Sequence, residues 1–258
     1  MKIACVYIDH FAAAVEERED NALAGRPIVI GGLPHERKPV YDFSLLAAGW
    51  GVKQGMPLRQ AHELCPLAFF LPLNEDRYQK AFSDVLDVLE VFSPYVEDES
   101  PGLVYLEVSG MEGLHGDDKT LAQKIARSVE ACSAIAPRIG LAGNKFAARV
   151  GALYASPGEP VLIAPGGEKE FLAPLPVSIL PCSEKMNLRL HRFGVNTAGH
   201  FASLPANEVI FQFEEEGRLA HRLANGVDDR LVVPRQIPPT IVQRVEYDYR
   251  VESVEQVL

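Results

Sequence analysis

The stretch VEDESPGLVYLEVSG, residues 96–110, has the outline of a core strand with an acidic approach. Acidic residues dominate its first half, and apolar residues follow from Leu103 until the stretch ends at Gly110. Apolar residues bounded by turn formers are typical of a buried strand. We therefore predict a strand over 104–108 and a solvated acidic turn at 97–99.

Further strands and helices flank this stretch in alternation. Residues 2–8 are apolar and β-branched and predict a strand, and Asp9 stands at the N-cap position of a helix over 10–18. Apolar spacing and breakers predict four more elements near it, which are helices over 77–91 and 119–134, a strand over 138–141 and a helix over 145–155. This order predicts an α/β (α+β) ferredoxin-like layer with an insert after the first helix.

The composition changes after Pro157, where prolines and glycines predict a loop-rich passage. Short helices that stop at glycine or proline follow, over 184–193, 197–204 and 218–224. A last strand is predicted over 241–249. A chain of 258 residues with such a change of pattern predicts two or three modules.

The amino-acid composition is that of an ordinary globular protein, with 47% hydrophobic and 23% charged residues. The net charge of −10 argues against a strong nonspecific grip on nucleic acid, because phosphate neutralisation needs clustered Lys and Arg. The four cysteines and seven histidines show no metal-ligand spacing. No signal-peptide pattern opens the chain, and no apolar run approaches the ~20 residues of a membrane span. We therefore expect a cytoplasmic protein with reduced thiols.

Six further stretches, taken together with residues 96–110, resemble the Y-family (translesion) DNA polymerases of the DinB/UmuC type. They are YIDHFAAAVE, RPIVIGG, WGVKQGMPLRQAHELCP, GLAGNKFAARVGALYASPG, LPVSILPCSEKMNLRLHRFGVNTAGHFASLP and LANGVDDRLVVP. Their order matches the family over essentially all of residues 1–250. The resemblance implies four units, which are a palm at 1–18 and 76–166, a fingers insert at 19–75, a small helix-hairpin-helix-like thumb at 167–233, and a linker with the beginning of an incomplete little finger at 234–258.

The resemblance also implies a catalytic site whose residues are missing here. In the family, carboxylates on adjacent palm strands hold two Mg²⁺ ions, which activate the primer 3′-hydroxyl and stabilise the leaving pyrophosphate. The matching positions are Tyr7, Gly102 and Leu103, none of which carries a carboxylate. The family's ribonucleotide-excluding aromatic, the Tyr and Arg of its triphosphate clamp and its palm lysine correspond to Ala12, Leu45, Ala48 and Ser156. We therefore predict no catalytic residue, no metal site and no cofactor.

Neighbouring acids are the alternative source of metal ligands. Asp9 shares the strand parity of Tyr7, and Glu107 shares that of Leu103. Glu107, however, lies four residues farther on, roughly 13 Å along a strand. Asp9 is therefore the acid expected to border the site, and we interpret it as a helix N-cap in preference to a metal ligand. Mg²⁺ binding is expected only if such acids have replaced the family's carboxylates as metal ligands.

The thumb stretch departs from the family as well. Polymerase thumbs grip DNA phosphates through backbone N–H groups of a glycine hairpin. The matching residues 182–185 (CSEK) have no glycine and place Glu184 where an anion would lie. Between 181 and 230, seven acids outnumber six Lys and Arg residues. Weak DNA contacts are predicted, with a solvated helical face as the alternative, for Lys145, Lys185, Arg189 and Arg192.

The replacement of the catalytic residues resembles that in the ImuB-type branch of the family. Members of this branch are catalytically inactive adaptors of bacterial mutagenesis cassettes. That branch joins the sliding clamp to an error-prone replicative-type polymerase in damage-induced (SOS) translesion synthesis, which implies these and other cassette proteins as partners. An active polymerase with relocated ligands and a DNA-structure- or damage-binding module are the alternatives. A clamp-binding peptide would favour the adaptor, but FQFEEEG at 211–217 is better interpreted as thumb helix.

Overall fold

The computed structural model of the chain describes residues 1–235. Its centre is a five-stranded sheet in the order β5-β6-β1-β7-β8. The strands are β1 (Ile3–Tyr7), β5 (Val96–Ser100), β6 (Leu103–Glu107), β7 (Arg138–Ala142) and β8 (Val161–Leu162). β1 pairs antiparallel with both β6 and β7, so the most N-terminal strand lies in the middle of the sheet.

Helices cover both faces of this sheet. They are α1 (Phe11–Glu19), α4 (Glu75–Leu89), α5 (Glu112–His115), α6 (Asp118–Ser133) and α7 (Lys145–Tyr154). Because side chains alternate along a strand, Val6 and Leu106 face the core shared with α1, α4 and α6, and Cys5 and Tyr105 face the core shared with α7. The predicted α/β layer, with its insert after the first helix, is confirmed.

Residues 97–99 belong to strand β5, so the predicted acidic turn is wrong. Only Pro101 and Gly102 separate β5 from β6, and the two strands form an antiparallel hairpin. Proline restricts its φ to about −65°, and Gly102 has a φ of +85°. The chain therefore reverses at these two residues and not at the acids before them. The strand predicted over 104–108 is confirmed, shifted by one residue.

The fingers insert contains a smaller sheet in the order β3-β2-β4. Its elements are β2 (Ile28–Ile30), β3 (Asp42–Phe43), α2 (Leu45–Gly49), α3 (Leu58–Leu64) and β4 (Phe69–Leu71). An apolar cluster that includes Val29 and Leu58 fills the insert. Ile28 and Ile30 belong instead to the core of the palm, and so the insert packs directly against the palm.

The thumb is helical and has its own apolar core, which includes Leu190, Phe201 and Leu223. Its elements are α8 (Glu168–Leu172), a 3₁₀ turn (Val177–Ile179), α9 (Glu184–Arg192), α10 (Ala198–Ala202) and α11 (Ala206–Ala224). The helices predicted from 184 and 197 are confirmed. The third starts twelve residues earlier than predicted and contains one non-helical residue, Glu214, with a φ of +53°.

The strand predicted over 241–249 lies outside the described residues, as does most of the segment 234–258. The unit boundaries stay predictions. None of the helices within residues 1–235 combines the length and the apolar character that crossing a membrane requires, and the cytoplasmic location also stays a prediction.

Candidate functional site

A cleft of about 530 Å³ opens where the end of β1 and the β5–β6 hairpin meet the fingers insert. Tyr7 on β1 lies directly opposite Leu103 on β6, so two of the three family carboxylate positions are neighbours. Both line the cleft together with Ala12 and Asp9. Residues that are far apart in the sequence thus meet where the resemblance placed the catalytic site. Glu107 pairs with Ile3 at the far end of the same strands, as its spacing predicted.

Tyr7 presents a neutral phenol to this cleft. Its hydroxyl donates a hydrogen bond to Asp9 Oδ1 at 3.0 Å. Burial, followed by the nearby Asp9 carboxylate, raises the pKa of Tyr7 to about 12. The side chain therefore stays protonated at neutral pH, and a phenol is not the hard anionic oxygen ligand that Mg²⁺ prefers.

Gly102 leaves no room for a side chain. A Cβ built on it would lie 2.6 Å from the carbonyl oxygen of Ile8 and 2.8 Å from Cβ of Phe11. The Gly102 carbonyl also accepts a hydrogen bond from Ile8 N at 2.7 Å, which holds the turn against the end of β1. With φ at +85°, a residue with a Cβ would be strained as well as crowded. The turn has therefore lost the space for a metal-binding carboxylate, and not the carboxylate alone.

Asp9 borders the cleft as predicted, but it is not a helix N-cap. The N-cap of α1 is His10, in a left-handed conformation and without a side-chain capping bond. The Asp9 carboxylate instead accepts from Tyr7 and lies 3.8 Å from Nη2 of Arg138 and 3.5 Å from Nε2 of His10. The conformation of His10 places Asp9 one residue too early to reach the first amides of the helix.

Asp42 of the insert makes the capping contacts that were expected of Asp9. Its Oδ2 accepts hydrogen bonds from Ala12 N at 2.8 Å and from Ala13 N at 3.2 Å. A helix N-terminus favours an anion such as a phosphate, and here a carboxylate of the same chain lies in that position. The sequence analysis missed Asp42 because it is 30 residues from Ala12 and belongs to no local capping pattern.

The other nucleotide-site positions present little polar chemistry. The side chain of Leu45 is 66% exposed and lines a second cleft, of about 470 Å³, with Arg138 and Pro157. Ala48 is half-buried and Ser156 is exposed, and neither offers a cation to a triphosphate. Within residues 1–235, no group of three or more His, Cys, Asp or Glu side chains is arranged to hold a metal ion. Tyr7, Gly102 and Leu103 do not supply the carboxylate ligands of the family's two-metal site.

Lys145 is buried and paired with acids of β5, which argues both against a DNA contact and against the alternative of a solvated helical face. Its side chain is 5% exposed, and Nζ is paired with Glu97 and lies 3.7 Å from Glu99. It also lies 4.6 Å above the ring of Tyr105. Lys145 is the first residue of α7, which packs on the face of the sheet that includes Tyr105. From there its side chain reaches the acids of β5 and is buried beside them. The acids of β5, interpreted as solvated, are its partners.

The thumb candidates lie at or near the surface. Lys185 and Arg192 are exposed, and Arg189 is half-buried with its guanidinium 5.1 Å from the ring centre of Phe213. All three stay predictions as DNA contacts. Ser183 caps α9 through Met186 N at 3.2 Å.

Glu184 lies in the first turn of α9, and a second carboxylate, that of Glu216, also lies at this helix start and makes the hydrogen bonds there. Glu216 Oε1 accepts from Ser183 N, and its Oε2 accepts from Ser183 Oγ at 3.2 Å. Glu184 is exposed in the first turn of α9. The anion position of the thumb hairpin is therefore filled by an acid that lies 33 residues away in the sequence.

Comparison with known proteins identifies the family and the fold. Residues 6–152 match the model of the impB/mucB/samB family. DNA polymerase IV of Dehalococcoides mccartyi strain 195 is 34% identical over 232 residues, which cover 90% of this chain and 60% of the relative. DNA polymerase IV of Ralstonia nicotianae is 31% identical over 234 residues, or 90% of this chain and 66% of the relative. The chain thus spans about 60% of the length of the first of these relatives.

Two solved structures have the same fold. The crystal structure of DinB from Sulfolobus solfataricus superposes with a TM-score of 0.82 at 25% identity, covering 90% of this chain and 69% of that one. An insertion ternary complex of Dbh DNA polymerase gives a TM-score of 0.77 at 25% identity, with the same coverage. The chain therefore belongs to the impB/mucB/samB family and has the Y-family, DinB/UmuC-type polymerase fold.

Proposed function

We propose that this chain is a non-catalytic, ImuB-type member of its family that acts as an adaptor in damage-induced translesion synthesis and mutagenesis, and so in DNA repair. The observation that carries the proposal is the turn at Gly102. A replaced carboxylate alone could mean a changed mechanism, but a backbone that excludes every side chain at that position means a reshaped site.

The nucleotide-binding surface supports the same conclusion. Asp42 places a negative charge on the amides of α1, where a triphosphate would need a positive environment. Leu45 and Ala48 supply no compensating phenol or guanidinium. A triphosphate entering this cleft would meet the acids Asp9 and Asp42 and one arginine, Arg149, and would lack the two metal ions that offset its charge in the active enzymes.

The adaptor's proposed partners are proteins, namely the sliding clamp, an error-prone replicative-type polymerase and other cassette proteins. DNA is a weak additional ligand. Lys145 is internal, Glu216 fills the start of α9, and acids outnumber cations in the thumb stretch. The DNA that this chain meets would then be brought to it mainly by its partners.

Primer extension tests the proposal. The full-length protein is incubated with primed DNA, all four dNTPs and Mg²⁺ or Mn²⁺, beside DNA polymerase IV of Dehalococcoides mccartyi as the active comparison. We expect extension by the comparison enzyme only. Extension by this protein that disappears in Asp9→Ala would contradict the proposal and show that the metal ligands have relocated. A matched Asp98→Ala variant, which changes an exposed acid of β5, controls for the loss of charge.

A further inference from the structure

The carboxylate of Asp42 joins the fingers insert to the palm. Oδ2 accepts from Ala12 N and Ala13 N at 2.8 and 3.2 Å, while Oδ1 accepts from Phe43 N at 2.8 Å and lies 3.4 Å from His10 Nδ1. Both oxygens are thus engaged, one by α1 of the palm and the other by the strand that carries Asp42 and by His10. The half-buried carboxylate forms a bridge and not a surface contact.

Helix α1 depends on this contact for its N-terminus. The first four N–H groups of any helix have no partner inside it. The N-cap residue of α1 makes no side-chain bond, and the first turn contains no acidic residue. Asp42 therefore supplies the negative charge that a helix start favours, and it does so from a different unit of the chain.

Few other polar contacts connect the two units. Apart from contacts between chain neighbours at the two junctions, the side-chain hydrogen bonds and ion pairs between the insert and the rest of residues 1–235 are those of Asp42. Its apolar surroundings include the ring of Phe43, whose centre is 4.5 Å from that of His10, and Tyr41, which stacks on Tyr78 at 6.1 Å. The apolar driving force that holds the units together is non-directional, so the directional bonds of Asp42 add a constraint on orientation that the apolar contacts do not supply by themselves.

We propose that Asp42 is an internal latch, whose carboxylate fixes the orientation of the fingers insert on the palm by binding the free amides at the start of α1. No nucleotide is needed for this arrangement, because the chain carries its own anion. The latch forms in the protein without any ligand. It does not depend on the proposed adaptor function.

Amide exchange followed by NMR measures the contact itself. In Asp42→Ala, we expect the amides of Ala12 and Ala13 to exchange roughly tenfold faster or more than in the parent protein, because both lose their acceptor. Asp42→Asn keeps the shape of the side chain and one acceptor oxygen. Its exchange rates should lie between those of the parent protein and those of Asp42→Ala. Asp98→Ala, which removes an exposed acid of β5, should leave both amides unchanged.

A distance measurement separates a latch from a local cap. Spin labels are placed on exposed residues of α3 and α6 through Gln60→Cys and Glu130→Cys, in a background with Cys132→Ser and Cys182→Ser. Asp42→Ala should broaden or shift the distance distribution, and Asp98→Ala should not.

The latch is overturned if the amides of Asp42→Ala exchange no faster than those of Asp98→Ala. It is also overturned if exchange accelerates while the label distances stay unchanged, since Asp42 would then only cap α1. If Asp42→Ala does not fold, Asp42→Asn carries both comparisons with the same two criteria.

Discussion

At Gly102 the backbone conformation and its neighbours exclude a side chain. Its φ of +85° and the 2.6 Å approach of the Ile8 oxygen to a built Cβ act together against any side chain. We predict that Gly102→Ala lowers the free energy of unfolding by about 2–4 kcal/mol, through left-handed strain and overpacking. Gly110→Ala is the matched control, because Gly110 has a φ of +76° but nothing within 4 Å of its built Cβ. Equal losses in urea unfolding of the two variants would mean that the contact with Ile8 contributes nothing.

Tyr7 gives a prediction about pH. Burial and Asp9 raise its pKa to about 12, above the value of about 10 for an exposed phenol. A raised pKa in the folded state means that the stabilisation is present below about pH 10 and is lost as the pH rises towards 12.

The stability difference between the wild type and Tyr7→Phe should therefore shift against the wild type between pH 9 and 12. A second variant, Asp9→Asn, should lower the pKa of Tyr7, because the carboxylate that disfavours the phenolate is gone. Unfolding at a series of pH values and ultraviolet titration of the phenolate measure the two effects. A pH-independent difference between wild type and Tyr7→Phe would contradict the first prediction.

At the scale of elements, the β5–β6 hairpin and α7 are linked by a buried ion pair. Lys145 is 5% exposed and Glu97 is 14% exposed in their side chains. Oε2 of Glu97 also accepts a hydrogen bond from Val233 N at 2.6 Å, and this bond connects the palm to the end of the thumb. Removing one member of such a pair leaves an uncompensated charge in a poorly solvated place.

We predict that Lys145→Ala lowers the free energy of unfolding by about 3 kcal/mol. Lys185→Ala, which removes an exposed lysine of the thumb, should change it by no more than about 0.5 kcal/mol. Chemical denaturation with both variants provides the test. Similar small changes in the two would show that Lys145 is effectively solvated, and would restore it as a candidate DNA contact.

The start of α9 leads to a prediction about DNA. Glu216 occupies Ser183 N and Oγ, so a phosphate approaching this helix meets a carboxylate. Glu216→Gln should tighten binding to primed DNA by about two- to fivefold at low salt, the size expected for one charge at a helix terminus. Glu208→Gln removes an exposed charge from the same helix, α11, away from that position. DNA affinity measured by fluorescence anisotropy should increase less for Glu208→Gln. Equal increases in the two variants would show that the effect comes from the net charge and not from the position of Glu216.

For the whole molecule, the proposed non-catalytic function predicts that the cleft beside Tyr7 does not bind a nucleotide. A ligand that binds the native state raises its stability by about 2.7 kcal/mol at one hundred times its dissociation constant. We predict that dNTP with Mg²⁺ leaves the melting temperature of this protein at the value measured with Mg²⁺ alone. The same addition should raise that of DNA polymerase IV of Dehalococcoides mccartyi. A nucleotide-dependent rise in the melting temperature of this protein would contradict the proposed non-catalytic function.

The sequence by itself determined the order of the main palm elements, β1, α1, α4, β6, α6, β7 and α7, and the lack of carboxylates at Tyr7, Gly102 and Leu103, whereas it missed β5 and β8. These follow from local periodicity and from side-chain chemistry, which are written residue by residue along the chain. The tertiary structure alone decided that Asp42 caps α1, that Glu216 fills the start of α9 and that Lys145 is internal. Each of these contacts joins residues 29 or more positions apart, and such pairs meet only after whole elements have packed. Local sequence patterns therefore carry no sign of them, and this is why Asp9, the nearest acid in sequence, was expected to cap α1 when the distant Asp42 does so.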